Sequence, residues 1–135
     1  MTQTILAYAA SLVSLVAVDA VWLKSTYQAL YQPRLGHIFA AAPSWLPIAL
    51  FYLLYAAGVV LFAVTPALRE NASLQRAFLL GAALGLVAYG TYDLTNQATM
   101  KAWPTIVTVI DLAWGALLTG TVALVAVYVA RRFGR

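Results

Sequence analysis

The longest apolar stretch of the chain, residues 105–130, reads TIVTVIDLAWGALLTGTVALVAVYVA. Pro104 precedes this stretch, and the basic residues Arg131 and Arg132 follow it, which is typical of the two ends of a helix. About 20 consecutive apolar residues are enough for an α-helix to cross the hydrocarbon core of a bilayer. The stretch therefore predicts a membrane-spanning helix, and Asp111 is the only acidic residue in it.

Three earlier stretches have the same character. They cover residues 4–24, 45–65 and 74–97, and short connections join them. Each is long enough to span a bilayer, and short connections are typical of antiparallel neighbours in a helix bundle. The sequence thus predicts an all-α membrane protein, an antiparallel bundle of four transmembrane helices, with residues 1–135 forming a single integral membrane domain.

The composition excludes an ordinary soluble domain. Hydrophobic residues make up 64% of the chain, charged residues make up 9%, and the mean hydropathy is +0.86, whereas soluble domains contain about 25% charged residues. Cysteine is absent, which excludes disulfides, thiolate nucleophiles and cysteine metal sites. The net charge of +4 comes from Lys and Arg in short loops and at the C-terminus, which favours membrane lipid as a partner and not nucleic acid.

Basic residues in the short flanking segments indicate an orientation. One side of the predicted bundle carries five, Arg69, Arg76, Arg131, Arg132 and Arg135, and the other carries three, Lys24, Arg34 and Lys101. We therefore expect both termini to be cytoplasmic. The first stretch is expected to stay in the protein as a helix, because it lacks a preceding Lys or Arg and is longer than the apolar region of a usual signal peptide.

Three of the four acidic residues, Asp19, Asp93 and Asp111, fall inside predicted spans, and the fourth, Glu70, lies in a loop. A carboxylate within a membrane is costly, so its presence suggests a functional site. In an antiparallel bundle, Asp19 and Asp93 lie near the ends of the first and third helices, and Asp111 lies near the start of the fourth. The three aspartates are therefore expected at a similar depth, close to the non-cytoplasmic side.

Aromatic and polar residues accompany these aspartates at helical spacing. Asp-x-x-Trp occurs twice, as Asp19 with Trp22 and as Asp111 with Trp114, and residues one turn apart share a helix face. We predict a polar pocket that opens toward the non-cytoplasmic interface and binds a small polar or lipid-derived ligand or a cation. The candidate ligand-binding residues are Asp19, Trp22, Tyr89, Tyr92, Asp93, Asn96, Thr108, Asp111 and Trp114.

Other functions remain open at this point. No cofactor is evident, although clustered carboxylates can share protons, and Asp19, Asp93 and Asp111 could hold a monovalent or a divalent cation. The same carboxylates could act as acid, base or metal ligands in a lipid-modifying enzyme, but no motif identifies a catalytic residue. A small transporter coupled to protons or cations, a structural accessory subunit and a homo-oligomer are the further alternatives.

Several other residues have simpler interpretations. Gly81 and Gly85 form a GxxxG pattern, which predicts close helix packing. Pro33 and Pro43 are expected to interrupt the first loop, and His37 is expected to be solvated in that loop. The aromatic residues assigned to the interfacial belt are Tyr27, Tyr31, Trp45 and Trp103.

Five segments of the chain resemble a known family. They are VDAVWL at 18–23, GTYDLTN at 90–96, AT at 98–99, WP at 103–104 and DLAWG at 111–115. Together they resemble a family of small bacterial membrane proteins catalogued as domain of unknown function 2177, and GTYDLTN is the most specific block. The resemblance covers nearly the whole chain. It implies an uncharacterised four-helix, multi-pass protein of the bacterial inner (cytoplasmic) membrane and names no substrate.

Overall fold

The computed structural model describes residues 1–134, which contain four long helices. Each helix is long and apolar enough to cross a membrane, so the predicted all-α architecture with four spans is confirmed. The helices are α1 (Thr2–Ile38), α2 (Trp45–Arg69), α3 (Leu74–Thr99) and α4 (Thr105–Phe133).

Helices α3 and α4 begin at Leu74 and Thr105, where the sequence predicts them to begin. The start of α3 is capped, because the Ser73 side chain accepts a hydrogen bond from the backbone N–H of Arg76 at 3.1 Å. Both helices extend slightly past their predicted ends, to Thr99 and Phe133.

Helix α1 differs from the prediction, because it passes Lys24 and continues to Ile38. Residues Tyr27–Tyr31 form a wide π-helical turn, and Pro33 follows inside the helix and not in a loop. The proline nitrogen cannot donate to the carbonyl of Ala29, and this oxygen instead accepts from the Arg34 guanidinium at 3.1 Å. The predicted end at residue 24 is therefore wrong.

Helix α2 has the same arrangement. Residues Val60–Val64 form a π-helical turn, Pro66 follows two residues later, and the helix continues to Arg69. A wider turn ahead of a proline accommodates the missing N–H and the bulky ring without ending the helix. Both turns also change the direction in which the following residues point, because a π-helical turn contains an extra residue.

The closest helix packing is between α3 and α4, which share the largest interface of the bundle. A Cβ atom at Gly81 would lie 2.5 Å from the Thr119 carbonyl oxygen, and one at Gly85 would overlap the Gly115 carbonyl oxygen. The two backbones are therefore in direct contact. This confirms the close packing predicted from the GxxxG pattern.

Helix α2 contacts its neighbours unevenly along its length. Its first part, Trp45–Val59, packs mainly against α1, whereas the π-helical turn Val60–Val64 supplies most of its contacts to α3. Helices α2 and α3 therefore separate toward the end of the bundle that contains Trp45. This is also the end at which the aspartates lie.

Candidate functional site

Asp19, Asp93 and Asp111 are all buried between the helices. The exposed fraction is 7% for Asp19, 0% for Asp93 and 7% for Asp111. Because α1 and α3 run opposite to α4, the middle of α1 and the last turns of α3 meet the first turns of α4. The three carboxyl groups nevertheless have very different partners.

Asp19 has hydrogen-bond donors on both oxygens. The Tyr52 hydroxyl donates to Oδ2 at 2.7 Å, and the Trp114 indole N–H donates to Oδ1 at 3.2 Å. These two bonds connect α1 to α2 and to α4. Asp19 is therefore a satisfied acceptor that joins three helices.

Asp111 accepts a hydrogen bond at 2.5 Å from the hydroxyl of Tyr31. The same hydroxyl oxygen accepts a bond at 3.0 Å from the indole N–H of Trp22. Tyr31 reaches α4 because α1 continues past Lys24 through its π-helical turn. The extended part of α1 thus covers the carboxyl group of α4.

The two Asp-x-x-Trp motifs meet face to face. The rings of Trp22 and Trp114 are stacked, with centroids 4.2 Å apart and planes inclined by 8°. Trp114 donates directly to Asp19 on the opposite helix, and Trp22 reaches Asp111 through the Tyr31 hydroxyl. The repeated motif therefore links α1 and α4 by two reciprocal contacts, one direct and one through Tyr31.

Asp93 is the exception in this cluster. Both of its oxygens are buried, and neither has a hydrogen-bond partner among residues 1–134. The carboxyl group beside it is that of Asp111, and two carboxylates cannot bond to one another without a proton, because both are acceptors. A buried carboxyl group without a donor is costly, so this pair is the chemically unusual feature of the bundle.

The remaining predicted residues lie around this cluster. Tyr89 packs its ring on Gly115, one helical turn from Asp111 on α4. Thr108 is buried and accepts from the Trp103 indole at 3.1 Å. Tyr92 is 59% exposed, and its ring meets that of Trp103 edge-on at 5.7 Å, while Asn96 is half-buried one turn beyond Asp93. Of the predicted residues, Asp19, Trp22 and Trp114 are joined by direct contacts, and Asp111 is linked to Trp22 through the Tyr31 hydroxyl.

Two residues of the cluster were missed by the sequence analysis. Tyr31 was assigned to the interfacial belt, because the first helix was expected to end at residue 24. Tyr52 lies on the second span, which has no acidic residue to draw attention to it. A search for hydroxyl groups at the depth of the aspartates would have found Tyr52.

The donor set favours some cations over others. Among residues 1–134, no group of three His, Cys, Asp or Glu side chains is arranged to hold a metal ion. Calcium takes about six to eight oxygen ligands, and magnesium requires near-octahedral geometry. The pair formed by Asp93 and Asp111 supplies fewer ligand oxygens than either divalent cation takes.

Comparison with known proteins gives one match. A family model described as predicted membrane protein (DUF2177) matches residues 4–128. The match begins in α1, ends in α4 and includes all three aspartates. No curated protein and no solved structure matches the chain.

Proposed function

We propose, from the premise that the chain belongs to the DUF2177 family of predicted membrane proteins, that it binds a small cation or a hydrogen-bond-donating polar group at Asp93 and Asp111. The observation that carries this proposal is that both oxygens of the fully buried Asp93 lack a donor among residues 1–134. A ligand that supplies positive charge or N–H groups would satisfy them.

Electrostatics supports a positive ligand. Two neighbouring carboxylates repel each other, and the repulsion is strong where water is scarce. A proton, a monovalent cation or an ammonium group between them would remove this repulsion. Asp19 lies in the same cluster and adds negative charge, although its own oxygens are occupied by Tyr52 and Trp114.

The structure also offers an approach to this pair. Tyr31 lines an open groove of about 760 Å³, together with Lys24, Tyr27 and Phe39. The Tyr31 hydroxyl lies between this groove and the carboxyl group of Asp111. A rotation of the Tyr31 side chain would connect the two.

The test is thermal unfolding of the purified protein in detergent, with sodium, potassium, ammonium or magnesium salts added at several pH values. A ligand that binds only the folded state stabilises it by about 2.7 kcal/mol at 100 times its dissociation constant. We expect a monovalent salt to raise the Tm of the wild type, and we expect the effect to weaken at low pH as protons compete.

Two variants make this experiment specific. Asp93→Asn should lose the salt-dependent rise in Tm. Glu70→Gln removes the same charge from an exposed ion pair with Arg76 and should keep the rise. A bulky tetraalkylammonium salt serves as the control for ionic strength. If no small cation and no pH change raises the Tm of the wild type more than this control does, the proposal is wrong. It is also wrong if the Tm of Asp93→Asn responds like that of the wild type.

A structural role is the second candidate, and the bonds of Asp19 favour it. Tyr52, Trp114 and Asp19 form an interhelical hydrogen-bond network of the kind that holds membrane helices together. An accessory subunit with this role would show no ligand response, and its Asp93→Asn variant would be as stable as the wild type or more so.

The proposed site is also compatible with two active functions. Turnover of a lipid extract would favour a lipid-modifying enzyme, and ligand flux driven by a proton or sodium gradient in proteoliposomes would favour a transporter. We propose the bacterial inner membrane as the location, with both termini cytoplasmic, because the basic residues are more numerous on that side.

A further inference from the structure

An apolar slot runs between α2 and α3. Two hollows of about 370 and 440 Å³ share Phe51, Tyr55 and Ala88 in their walls, and are therefore parts of one slot. The slot extends from Phe62 on α2 to Tyr92 on α3. It opens at the side of the bundle that would face the hydrocarbon core of a membrane.

The slot follows from the uneven packing of α2. The first part of α2 packs mainly against α1, and the π-helical turn Val60–Val64 makes most of the contacts of α2 to α3. Helices α2 and α3 therefore diverge from this turn toward Trp45. Gly58 lines the slot, and a Cβ atom there would meet no atom within 4 Å. Between Leu84 and Tyr92 the slot is about 12 Å long, at a rise of about 1.5 Å per residue.

The end of the slot adjoins the aspartate cluster. Tyr89 lines the slot and packs on Gly115, which is one helical turn from Asp111 on α4, and Asp93 follows Tyr89 by one turn on α3. Tyr52, which follows the slot residue Phe51, donates to Asp19. The inner end of the slot therefore lies about one helical turn from Asp93 on α3 and about one turn from Asp111 on α4.

We propose that the slot holds the hydrocarbon chain of an amphiphile whose amine headgroup lies at Asp93 and Asp111. The proposal rests on the proposed function, because it assumes that this pair binds a positive group. In a membrane, an apolar slot is surrounded by hydrocarbon chains. The negative charge near the inner end of the slot complements an ammonium group. The ligand class is thus a long-chain amine or an amine-bearing lipid.

The test is native mass spectrometry of the protein released from micelles that contain dodecylamine or, separately, dodecanol. We expect the wild type to retain one dodecylamine and to retain dodecanol much less. Gly58→Phe should fill the slot and lower dodecylamine retention by about tenfold, equal to about 1.4 kcal/mol. The variant should fold, because Phe has a higher helix propensity than Gly and the Cβ position is open.

A matched control separates the slot from general lipid contact. Val13→Phe adds a ring at a position on α1 that is 69% exposed and should retain dodecylamine like the wild type. Asp93→Asn should lose the preference for the amine over the alcohol. Wild-type retention by Gly58→Phe would overturn the proposal, and so would equal retention of the amine and the alcohol by the wild type.

Two further outcomes are informative. If the wild type is a dimer without bound amine and Gly58→Phe is a monomer, a second copy occupies the slot and the proposal is wrong. Gly58→Phe should still show the salt-dependent rise in Tm, because the carboxylate pair is unchanged. If the wild type shows the salt-dependent rise in Tm but does not retain dodecylamine, only the slot proposal is overturned. If the wild type shows neither, the proposed function is overturned as well.

Discussion

At the scale of single residues, Asp19 and Asp93 show how environment separates identical side chains. Both are aspartates buried in the same cluster, but Asp19 accepts bonds from Tyr52 and Trp114, whereas both oxygens of Asp93 are buried without a donor in the described part of the chain. A carboxylate that is fully hydrogen-bonded stabilises packing, and one without a donor costs free energy until a ligand or proton satisfies it. This difference is the reason that we propose ligand binding at Asp93 and helix packing for Asp19.

The first prediction concerns Asp93→Asn in a buffer without small cations. The substitution removes a buried acceptor-only group and its repulsion with Asp111, so we expect the Tm to rise and the free energy of unfolding to increase by about 1–3 kcal/mol. Thermal unfolding measures this, with Glu70→Gln as the exposed control. A clear loss of stability in Asp93→Asn would show that the Asp93 carboxylate is already satisfied.

The second prediction concerns Tyr52→Phe. The change leaves Oδ2 of Asp19 without its donor, and we expect a loss of about 1 kcal/mol in the free energy of unfolding. Tyr128→Phe is the matched control, because Tyr128 is 53% exposed and should tolerate the change. Equal stability of the two variants would indicate that the bond between Tyr52 and Asp19 contributes nothing.

At the scale of helices, the two π-helical turns determine the shape of the site. The turn at Tyr27–Tyr31 allows α1 to continue and to place Tyr31 on Asp111. The turn at Val60–Val64 supplies most of the contacts of α2 to α3, so the earlier part of α2 leaves the slot open. A proline follows each turn, and the wider turn accommodates it without ending the helix.

The third prediction uses two glycines of α3. Gly85→Ala would push a Cβ atom into the Gly115 carbonyl oxygen, and we expect a loss of about 1–3 kcal/mol from the forced separation of α3 and α4. Gly90→Ala is the control, because the nearest atom to its Cβ would be Leu94 Cδ1 at 3.8 Å, and it should be neutral or slightly stabilising. Urea or thermal unfolding in detergent compares them, and a neutral Gly85→Ala would contradict the direct backbone contact.

At the scale of the whole molecule, the bundle has two unlike ends. One end carries the aspartates, the groove and the inner end of the slot. The other end lies near the more numerous arginines, where Arg131 donates to the carbonyl of Ala67 at 3.1 Å and connects α4 to α2. The difference in basic residues between the two ends is the basis of the orientation that we propose.

The fourth prediction tests that orientation, and the absence of cysteine makes it simple. Gln75→Cys and Ala102→Cys place single thiols at exposed positions on opposite ends of the bundle. In intact bacterial cells, a membrane-impermeant maleimide should label Ala102→Cys, whereas Gln75→Cys should require permeabilised cells. The reverse labelling pattern would place both termini outside.

The sequence by itself determined the number of spans, the starts of α2, α3 and α4, and the end of the bundle at which the aspartates lie. Those features depend on the length and polarity of each segment, since a helix in lipid must satisfy its own backbone hydrogen bonds. The contact of Gly81 and Gly85 with α4 was likewise predictable, because small residues at this spacing permit close approach.

Only the tertiary structure decided which donors reach which carboxylate. Three features depend on how each helix is rotated and bent against its neighbours. They are the bonds from Tyr31 and Tyr52, the Asp93 oxygens that have no partner among residues 1–134, and the slot beside Gly58. The two π-helical turns change that rotation part of the way along α1 and α2, which the spacing of apolar residues does not reveal. The physical reason is that hydrophobicity selects membrane depth for every helix, whereas side-chain packing between helices selects the facing residues.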